Sequence, residues 1–237
     1  MTALIHNRLP EVSRRILENI GISLMSVPEH PFYDEPVCGH PDLFAFADGD
    51  TVIAHPSLSP LLADRFTVIT ADIPHENARV IYPHDCKLCA VKIGKIVIAD
   101  FRHLSPTLIR YIESRGYRKI AVKQGYAACN VCTVSDNALI TEDAGIARAC
   151  TDAGLDVLHL QTHAVNLDGY DYGFIGGASG SFTNEKGTSV VTFCGNIAAH
   201  PEYARIKDFC EKHRAEILSL GDYPLTDFGS ILYIDGQ

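Results

Sequence analysis

Residues 89–122, CAVKIGKIVIADFRHLSPTLIRYIESRGYRKIAV, contain the pattern that decides the fold. Two short apolar segments flank a turn at Gly94, which predicts a pair of antiparallel strands. Ser105 and Pro106 then supply the cap and the first turn of an amphipathic helix. Gly116 ends that helix, and the apolar segment after it predicts a third strand. The stretch therefore predicts a strand–strand–helix–strand unit.

The same unit recurs along the chain. Each helix is followed by a strand, and a pair of apolar strands separated by a turn precedes the later helices. The five helix-plus-strand halves begin at Ser13, Ser59, Ser105, Ala144 and His200. The strand pairs are predicted at residues 42–55, 86–99, 129–141 and 174–194. Four units are thus complete, and the first half lacks its strand pair.

The two ends of the chain complement each other. No strand pair precedes the helix that begins near Ser13, whereas residues 227–234 have the pattern of a strand with no helix after it. We predict that the termini together complete the fifth unit of a closed ring, in which few sheet edges stay exposed. Residues 9–27 are then expected to pack beside residues 227–234.

An ordinary α/β sheet with alternating strands and helices is the alternative. A doubly wound nucleotide-binding sheet is disfavoured, because strand pairs rather than single strands separate the helices. The Gly-rich residues 176–180 do not have the pattern of a dinucleotide loop either. A strand follows them, so no helix N-terminus would face a phosphate.

Five such units closed by the termini resemble the pentein propeller of the guanidine-modifying enzymes, which include arginine deiminase, agmatine deiminase and the amidinotransferases. The strings KQGYAACNVC (residues 123–132) and GFIGGASG (residues 173–180) look like a bacterial branch of this superfamily that brings no known activity. The resemblance implies a single α/β domain over residues 1–237. Its fold would be a pentein-type fivefold ββαβ propeller whose fifth unit is closed by both termini.

The resemblance also implies guanidine chemistry, which this sequence matches in part. The superfamily uses a Cys nucleophile from the last unit, a His from the fourth, and carboxylates that bind the guanidinium group. Asp42 fits the guanidinium-binding acid, but residues 173–179 contain no His and residues 226–237 contain no Cys. Whether the chain is an enzyme is therefore open. If it is one, the resemblance implies a hydrolase or an amidinotransferase-like activity.

The segments that begin the strand pairs, here called the entrances, carry most of the candidate chemistry. If the units superimpose, the entrances converge around the ring axis, with Asp42, Lys87 and Asn130 in similar places. A pocket lined by such groups predicts a small polar metabolite that carries an amidine or amino group. The candidate substrate-binding residues are Asp42, Asn130, Lys87, Gly176, Gly177, Ser179 and Asp227.

Two functional hypotheses follow from this pocket. In the first, the protein is a divergent relative of the guanidine-modifying enzymes that binds the metabolite and, in the stronger form of the hypothesis, hydrolyses one of its C–N bonds. In the second, it is a non-catalytic binding or scaffold protein of the same fold, which zinc would stabilise through the CxxC pairs.

The cysteines of the entrances leave three interpretations open. Cys129 or Cys132 beside His40 or His84 would have a lowered pKa and act as a nucleophile, so Cys132, Cys129 and His40 are the candidate catalytic residues. The primary expectation is a protein without a cofactor. Two CxxC pairs predict zinc as the alternative, although their separation exceeds that of a zinc ribbon. The zinc ligands would be Cys86, Cys89, Cys129 and Cys132. Otherwise these thiols are small buried hydrophobes.

Composition excludes several classes of partner. The chain has 20 Lys and Arg against 29 Asp and Glu, a net charge of −9, so it lacks the clustered cations that nucleic-acid binding requires. No apolar run approaches the roughly 18–20 residues of a membrane span, and residues 1–8 lack the apolar core of a secretory signal. Eight Cys are far too few for a disulfide scaffold of this length. We therefore expect a reduced cytoplasmic protein, and a homo-oligomer is left open.

Overall fold

A computed structural model describes residues 1–74 and 78–235 of the chain. The strands are β1 Thr2–His6, β2 Ser23–Val27, β3 Ala45–Asp48, β4 Thr51–Ala54, β5 Thr67–Thr70, β6 Val91–Ile93, β7 Ile96–Ala99, β8 Arg118–Ala121, β9 Val131–Ser135, β10 Ala138–Thr141, β11 Asp156–His159, β12 Ser179–Thr183, β13 Ser189–Phe193, β14 Glu216–Ser219 and β15 Leu232–Ile234. The helices are α1 Glu11–Asn19, α2 Pro41–Phe44, α3 Ser59–Leu62, α4 Pro106–Ser114, α5 Ala127–Asn130, α6 Ala144–Asp152 and α7 Tyr203–Lys212.

The described strands form five three-stranded sheets of one topology. In the sheet of β6, β7 and β8, a hairpin joins β6 to the antiparallel β7, and α4 then carries the chain across to β8, which runs parallel to β7. Gly94 makes the hairpin turn with a φ of +55°, a conformation that glycine adopts without strain. Ser105 caps α4, because its side chain accepts a hydrogen bond from the N–H of Leu108. The predicted strand–strand–helix–strand unit is therefore confirmed.

The two termini share one sheet, as predicted. The central strand β1 pairs antiparallel with β15 and parallel with β2. Residues 9–27 pack against the C-terminal segment, because Leu17 and Ile231 belong to one hydrophobic cluster, although β1 lies between β2 and β15 in the sheet. Sequence analysis overlooked β1, whose five residues are all buried. Gly236 and Gln237, which follow the C-terminal strand, lie outside the described residues.

Two entrances are helical rather than extended. Asp42 lies in α2 and Cys129 lies in α5, and each of these one-turn helices leads directly into the first strand of a sheet. The strand pairs predicted from residues 42 and 129 therefore begin later, at Ala45 and Val131. Pro41 explains the first case, since proline is favoured at the first position of a helix.

The first strands of neighbouring sheets contact one another. Strand β9 contacts β6 and β12, β12 also contacts β15, and β15 contacts β3. Beneath the entrances, the buried side chains of Leu4, Leu43, Phe44, Cys89 and Ile234 pack in one hydrophobic cluster. This packing brings the entrances of different sheets to the same region of the molecule.

The helices are short. The longest helix in the described residues is α7 with 10 residues, and no helix among those residues is long and apolar enough to cross a lipid bilayer.

We predict that the pairing of the termini contributes strongly to stability. Ile234 of β15 is fully buried in the same cluster as Leu4 of β1. Replacing Ile234 by Ala should lower the free energy of unfolding by about 2–4 kcal/mol, because it leaves a cavity in that cluster. Urea denaturation measures the change. The control is Ile20→Ala, at a side chain that is 47% exposed. Equal effects of the two substitutions would contradict the prediction.

Candidate functional site

Three chemically reactive side chains converge at the entrances. His40, Asp42 and Cys129 each place one nitrogen, oxygen or sulfur atom within 4.8 Å of the others, and all three residues are buried. His40 precedes Pro41 and has an extended backbone, with φ −67° and ψ 114°, as the following proline favours. The start of α2 and the one turn of α5 thus bring together residues that are about ninety positions apart in the chain.

Asp42 is anchored by the C-terminal segment. Its backbone N–H donates to the carbonyl of Gly229 at 3.0 Å, and the Ser230 hydroxyl donates to its Oδ2 at 2.6 Å. Its Oδ1 makes no hydrogen bond of good geometry with the residues that the structure describes. Burial raises the pKa of the Asp42 carboxyl, and hydrogen bonds from Ser230 and Cys129 oppose that rise.

Asp227 is a second buried carboxylate close to the first. Its Oδ2 accepts the N–H of Phe174 at 2.9 Å, and its Oδ1 accepts the N–H of Gly229 at 2.8 Å. Burial, followed by the charge of Asp42, raises the pKa of Asp227 to about 7. Its Oδ1 lies 3.9 Å from Nδ1 of His40. None of the ion pairs among the described residues joins Asp42 or Asp227 to a Lys or an Arg.

His40 is a neutral imidazole. Burial lowers the pKa of its ring to about 3, and the neighbouring His6 lowers it further, against the carbonyl of Pro36. The rings of His6 and His40 meet edge to face with centroids 5.6 Å apart. Neither ring nitrogen of His40 makes a hydrogen bond of good geometry within the described part of the chain.

Cys129 is present at the site as a thiol. A hydrogen bond with Cys89 and burial raise its pKa well above the usual value, and the charge of Asp42 adds to the rise. The prediction that a histidine lowers the pKa of Cys129 was therefore wrong, because a neutral imidazole cannot stabilise a thiolate. His84, the other histidine considered, is exposed.

A cavity of about 270 Å³ opens above His40, Cys129 and Asp227. Its walls are mostly apolar and aromatic, and its lining contains no Lys or Arg. The lining residues besides these three are Val37, Leu43, Tyr126, Leu167, Tyr170, Asp171, Tyr172 and Phe174. Asp42 does not line the cavity, although it lies close to His40 and Cys129.

The glycines of residues 176–180 allow a close approach of main chain and side chain. A Cβ atom at Gly177 would lie 2.0 Å from Oδ1 of Asp227, and one at Gly176 would lie 2.5 Å from the carbonyl oxygen of Ala128. The N–H of Gly177 donates to the carbonyl of Cys129 at 2.7 Å. The two glycines are therefore required by packing around Asp227 and α5. Neither glycine lines this cavity, whereas Gly176 lines a second cavity of about 230 Å³ among the first strands, so their contact with a ligand stays a prediction.

Four other predicted site residues also lie away from the cavity. Asn130 donates from Nδ2 to the carbonyl of Tyr126 at 3.0 Å, and Ser179 donates to the carbonyl of Gly176 at 3.1 Å. Lys87 is half-buried and does not line the cavity. Cys132 packs in a different hydrophobic cluster, beside Cys210. Burial raises the pKa of Cys132 to about 12, which disfavours the thiolate that a nucleophile requires.

The assumed equivalence of Asp42, Lys87 and Asn130 explains part of this outcome. Strand β3 begins three residues after Asp42, whereas β9 begins directly after Asn130. Ala128 is therefore the residue of α5 that corresponds to Asp42 in α2. The alignment of the units made from sequence therefore matched Asp42 with Asn130, two residues after the residue that corresponds to it.

The predicted zinc site made of four cysteines is not formed. Cys86, Cys89 and Cys129 belong to one hydrophobic cluster and Cys132 to another. Among the described residues, the group whose ligand atoms do converge is His40, Asp42 and Cys129. The reason is that Cys132 lies within β9, on the face that packs away from the entrances.

Sequence analysis missed the aromatic wall and Glu142. The signal for the wall was the cluster of three aromatic residues in residues 170–174, between two glycines. Glu142 holds this loop, because its Oε2 accepts the N–H of Ile175 at 3.0 Å. Its Oε1 lies 3.8 Å from Nδ1 of His163, whose ring stacks on Tyr172 at 4.2 Å.

The profile of a family of unknown function (DUF6873) matches residues 4–232. The match covers nearly the whole chain, so the chain belongs to that family. No protein of curated function matches the chain.

We predict that Glu142 makes stability fall as the pH rises. Burial raises its pKa from 4.5 to about 7, and the charge of Glu202 adds to the rise. Between these two pH values the folded chain therefore keeps a proton on Glu142 that the unfolded chain has released. The resulting loss of unfolding free energy begins near pH 4.5 and is complete above pH 7. Glu142→Gln should remove this pH-dependent loss of stability. At high pH the unfolding free energy of the variant should therefore exceed that of the wild type by roughly 2–3 kcal/mol.

Urea denaturation at pH 5 and at pH 8 tests this prediction. The two proteins should differ little at pH 5, where Glu142 is protonated in the folded state. Glu18→Gln, at an exposed position of α1, is the control and should behave as the wild type at both values. A stability difference between Glu142→Gln and wild type that does not change with pH would contradict the assignment.

Proposed function

We propose that this member of the DUF6873 family binds a small organic cation with an amidine or amino group in the aromatic cavity, where Asp227 pairs with the cation. The observation that carries the proposal is the pair of buried carboxylates, Asp42 and Asp227, without a Lys or Arg partner among the described residues. A buried carboxylate that lacks a cationic partner is strongly destabilised. A cationic ligand would supply the missing charge.

The walls of the cavity favour the same class of ligand. Tyr126, Tyr170, Tyr172 and Phe174 present aromatic rings, whose faces attract cations. Tyr170 and Tyr172 are 49% and 42% exposed, so they are accessible from solvent at the mouth. The neutral His40 does not repel a positive charge. The volume of about 270 Å³ is near the lower end of ligand pockets and suits a metabolite of amino-acid size.

The fold supports the resemblance to the guanidine-modifying enzymes. Five sheets of the same ββαβ topology, contacts between their first strands and a sheet shared by both termini are the features that a fivefold pentein-type propeller requires. We infer that arrangement for this chain. The resemblance assigns guanidinium binding to Asp42, whereas the cavity lining favours Asp227 for the direct contact.

The proposal is limited to binding. Hydrolysis of a C–N bond by a cysteine nucleophile requires a thiolate, and burial together with the Cys89 contact keeps the Cys129 thiol protonated. The aromatic cavity and the buried carboxylates therefore favour a binding protein over a cysteine hydrolase.

Isothermal titration calorimetry with agmatine, arginine and citrulline tests the proposal. Agmatine and arginine carry a guanidinium group, and citrulline is a near-isosteric compound in which a neutral ureido group replaces it. We expect at least one of the two guanidino compounds to bind and citrulline to bind more weakly by about tenfold or more, because a charge-assisted hydrogen bond contributes about 1.5–3 kcal/mol. Absence of binding would overturn the proposal, and equal binding of citrulline, which keeps the α-ammonium group, would refute recognition of the guanidinium group.

We predict that Asp227→Asn weakens binding of the cation by roughly tenfold to a hundredfold, for the same reason. Asp171→Asn is the matched control, because Asp171 lines the same cavity but is exposed. It should change the affinity by less than about threefold, as expected for a solvated charge. Tyr172→Ala removes an exposed ring and should cost about twofold to fivefold through the lost cation–π contact. Wild-type affinity in Asp227→Asn would exclude Asp227 as the binding carboxylate.

A further inference from the structure

We propose that His40, Asp42 and Cys129 form a site for a zinc-type divalent metal ion at the floor of the aromatic cavity. The site differs from the four-cysteine site considered from sequence and shares only Cys129 with it. The inference goes beyond the proposed function, since pairing of an organic cation with Asp227 does not require a metal.

The donor set and its geometry fit this class of ion. The group offers an imidazole nitrogen, a carboxylate oxygen and a cysteine sulfur, all within 4.8 Å of one another. Ligand atoms of one tetrahedral zinc lie about 3.5 Å apart, as follows from zinc–ligand distances of about 2.0–2.3 Å. A contraction of at most about 1.3 Å in these separations would therefore complete the site. Mg²⁺ and Ca²⁺ prefer oxygen ligands alone, so nitrogen and sulfur donors favour zinc.

Unpartnered buried atoms supply the second, independent observation. Both ring nitrogens of His40 and Oδ1 of Asp42 are buried and make no hydrogen bond of good geometry with the described residues. His40 is 2% exposed and Asp42 is 1% exposed. Buried polar groups almost always have a partner, and a metal ion would satisfy a nitrogen of His40 and Oδ1 of Asp42 at once.

The residues around the group resemble the outer shell of a metal site. The Ser230 hydroxyl donates to Oδ2 of Asp42, which orients the carboxylate and leaves Oδ1 for the metal. Asp227 lies 3.9 Å from Nδ1 of His40, on the side where carboxylates commonly orient metal-binding imidazoles. The hydrogen bond from Ser230 fixes the Asp42 carboxylate before the ion binds. The 3.9 Å between Asp227 and His40 is too long for a hydrogen bond.

Three protein ligands leave one coordination position of a tetrahedral ion open. His40 and Cys129 both line the cavity, so that position faces the space where a ligand would enter. An open position is the feature that distinguishes catalytic zinc sites from structural ones. The charges are also compatible with the proposed function. A divalent ion neutralises Asp42 and the Cys129 thiolate, whose proton leaves to solvent, and Asp227 keeps its charge for an organic cation.

Metal content and cobalt spectroscopy test the site directly. Protein produced in zinc-supplemented medium should contain about one equivalent of zinc per chain by mass spectrometry, as expected for a single mononuclear site. The full-length protein, stripped with a chelator and loaded with Co²⁺, should show a thiolate-to-cobalt charge-transfer absorption together with the visible bands of tetrahedral Co²⁺. Protein that retains no zinc and gives no cobalt spectrum would overturn the proposal.

Two variants and a matched control assign the ligands. Cys129→Ser should lose the charge-transfer absorption, and Asp42→Asn should weaken metal binding by at least about tenfold while leaving the thiolate available. Cys132→Ser is the control, because Cys132 is an equally buried thiol three residues away in another cluster. It should keep both the metal and the spectrum. A charge-transfer absorption that persists in Cys129→Ser, or that disappears equally in Cys132→Ser, would refute the assignment. Circular dichroism confirms that each variant is folded.

The failure of this proposal can be distinguished from the failure of the proposed function. Titration of agmatine and arginine into the metal-stripped wild type measures cation binding alone. Cation binding without any metal uptake would refute the metal site and leave the proposed function standing. Metal uptake without binding of either cation, to the stripped or the loaded protein, would refute the proposed function and leave the metal site standing.

Discussion

The hydrogen bonds made by residues 227–231 connect the parts of the molecule on which the site depends. The N–H groups of Phe228 and Ser230 both donate to the carbonyl of Gly177, and the carbonyl of Gly229 accepts the N–H of Asp42. The segment continues into β15, which pairs with the N-terminal strand β1. The closing strand therefore carries Asp227 and Ser230 into the region between α2 and the Gly-rich residues. Fold closure and site assembly are consequences of the same contacts.

This arrangement places two carboxylates in a buried region at a cost in stability. Asp227 is partly compensated by the N–H groups of Phe174 and Gly229, and Asp42 by the hydroxyl of Ser230. Neutral donors of this kind replace only part of the lost hydration. A fold selected for stability alone would be better served by apolar residues at these positions, as replacements of buried charges show in other proteins. The proposed organic cation and the proposed metal ion would each supply a positive charge to these carboxylates.

The repeat could be predicted from sequence because each sheet depends on local signals. Signals such as the turn at Gly94, the cap at Ser105 and the runs of apolar residues each act over a few residues. The shared sheet of the termini could be inferred because one unit lacked a strand pair. Strand β1 was overlooked because its antiparallel partner β15 lies at the other end of the chain, so no hairpin turn marks the pair. The local pattern thus predicted the strands of the repeated units more reliably than it predicted the strand at the N-terminus.

The candidate site was predictable only in part, because it depends on register between units. His40, Asp42, Cys129 and Asp227 were all named from sequence, and the structure brings them together. The helical turns α2 and α5 were not foreseen, and a helical turn changes which side chain faces the centre. This is why Asn130 does not reach the cavity although its neighbour Cys129 does.

Contacts of the aromatic loop link occupation of the cavity to the stability of the fold. Phe174 is held at its N–H by Asp227, and the next residue, Ile175, is held by Glu142. A cation that pairs with Asp227 would stabilise its ionised carboxylate. That carboxylate accepts the N–H of Phe174 in the aromatic loop and the N–H of Gly229 in the C-terminal segment, so it connects the two. Because a ligand that binds only the folded state stabilises it in proportion to its binding free energy, the same ion pair would strengthen the loop and the junction of the termini. Under the proposed function, a bound cation would therefore supply the positive partner that Asp227 lacks among the described residues.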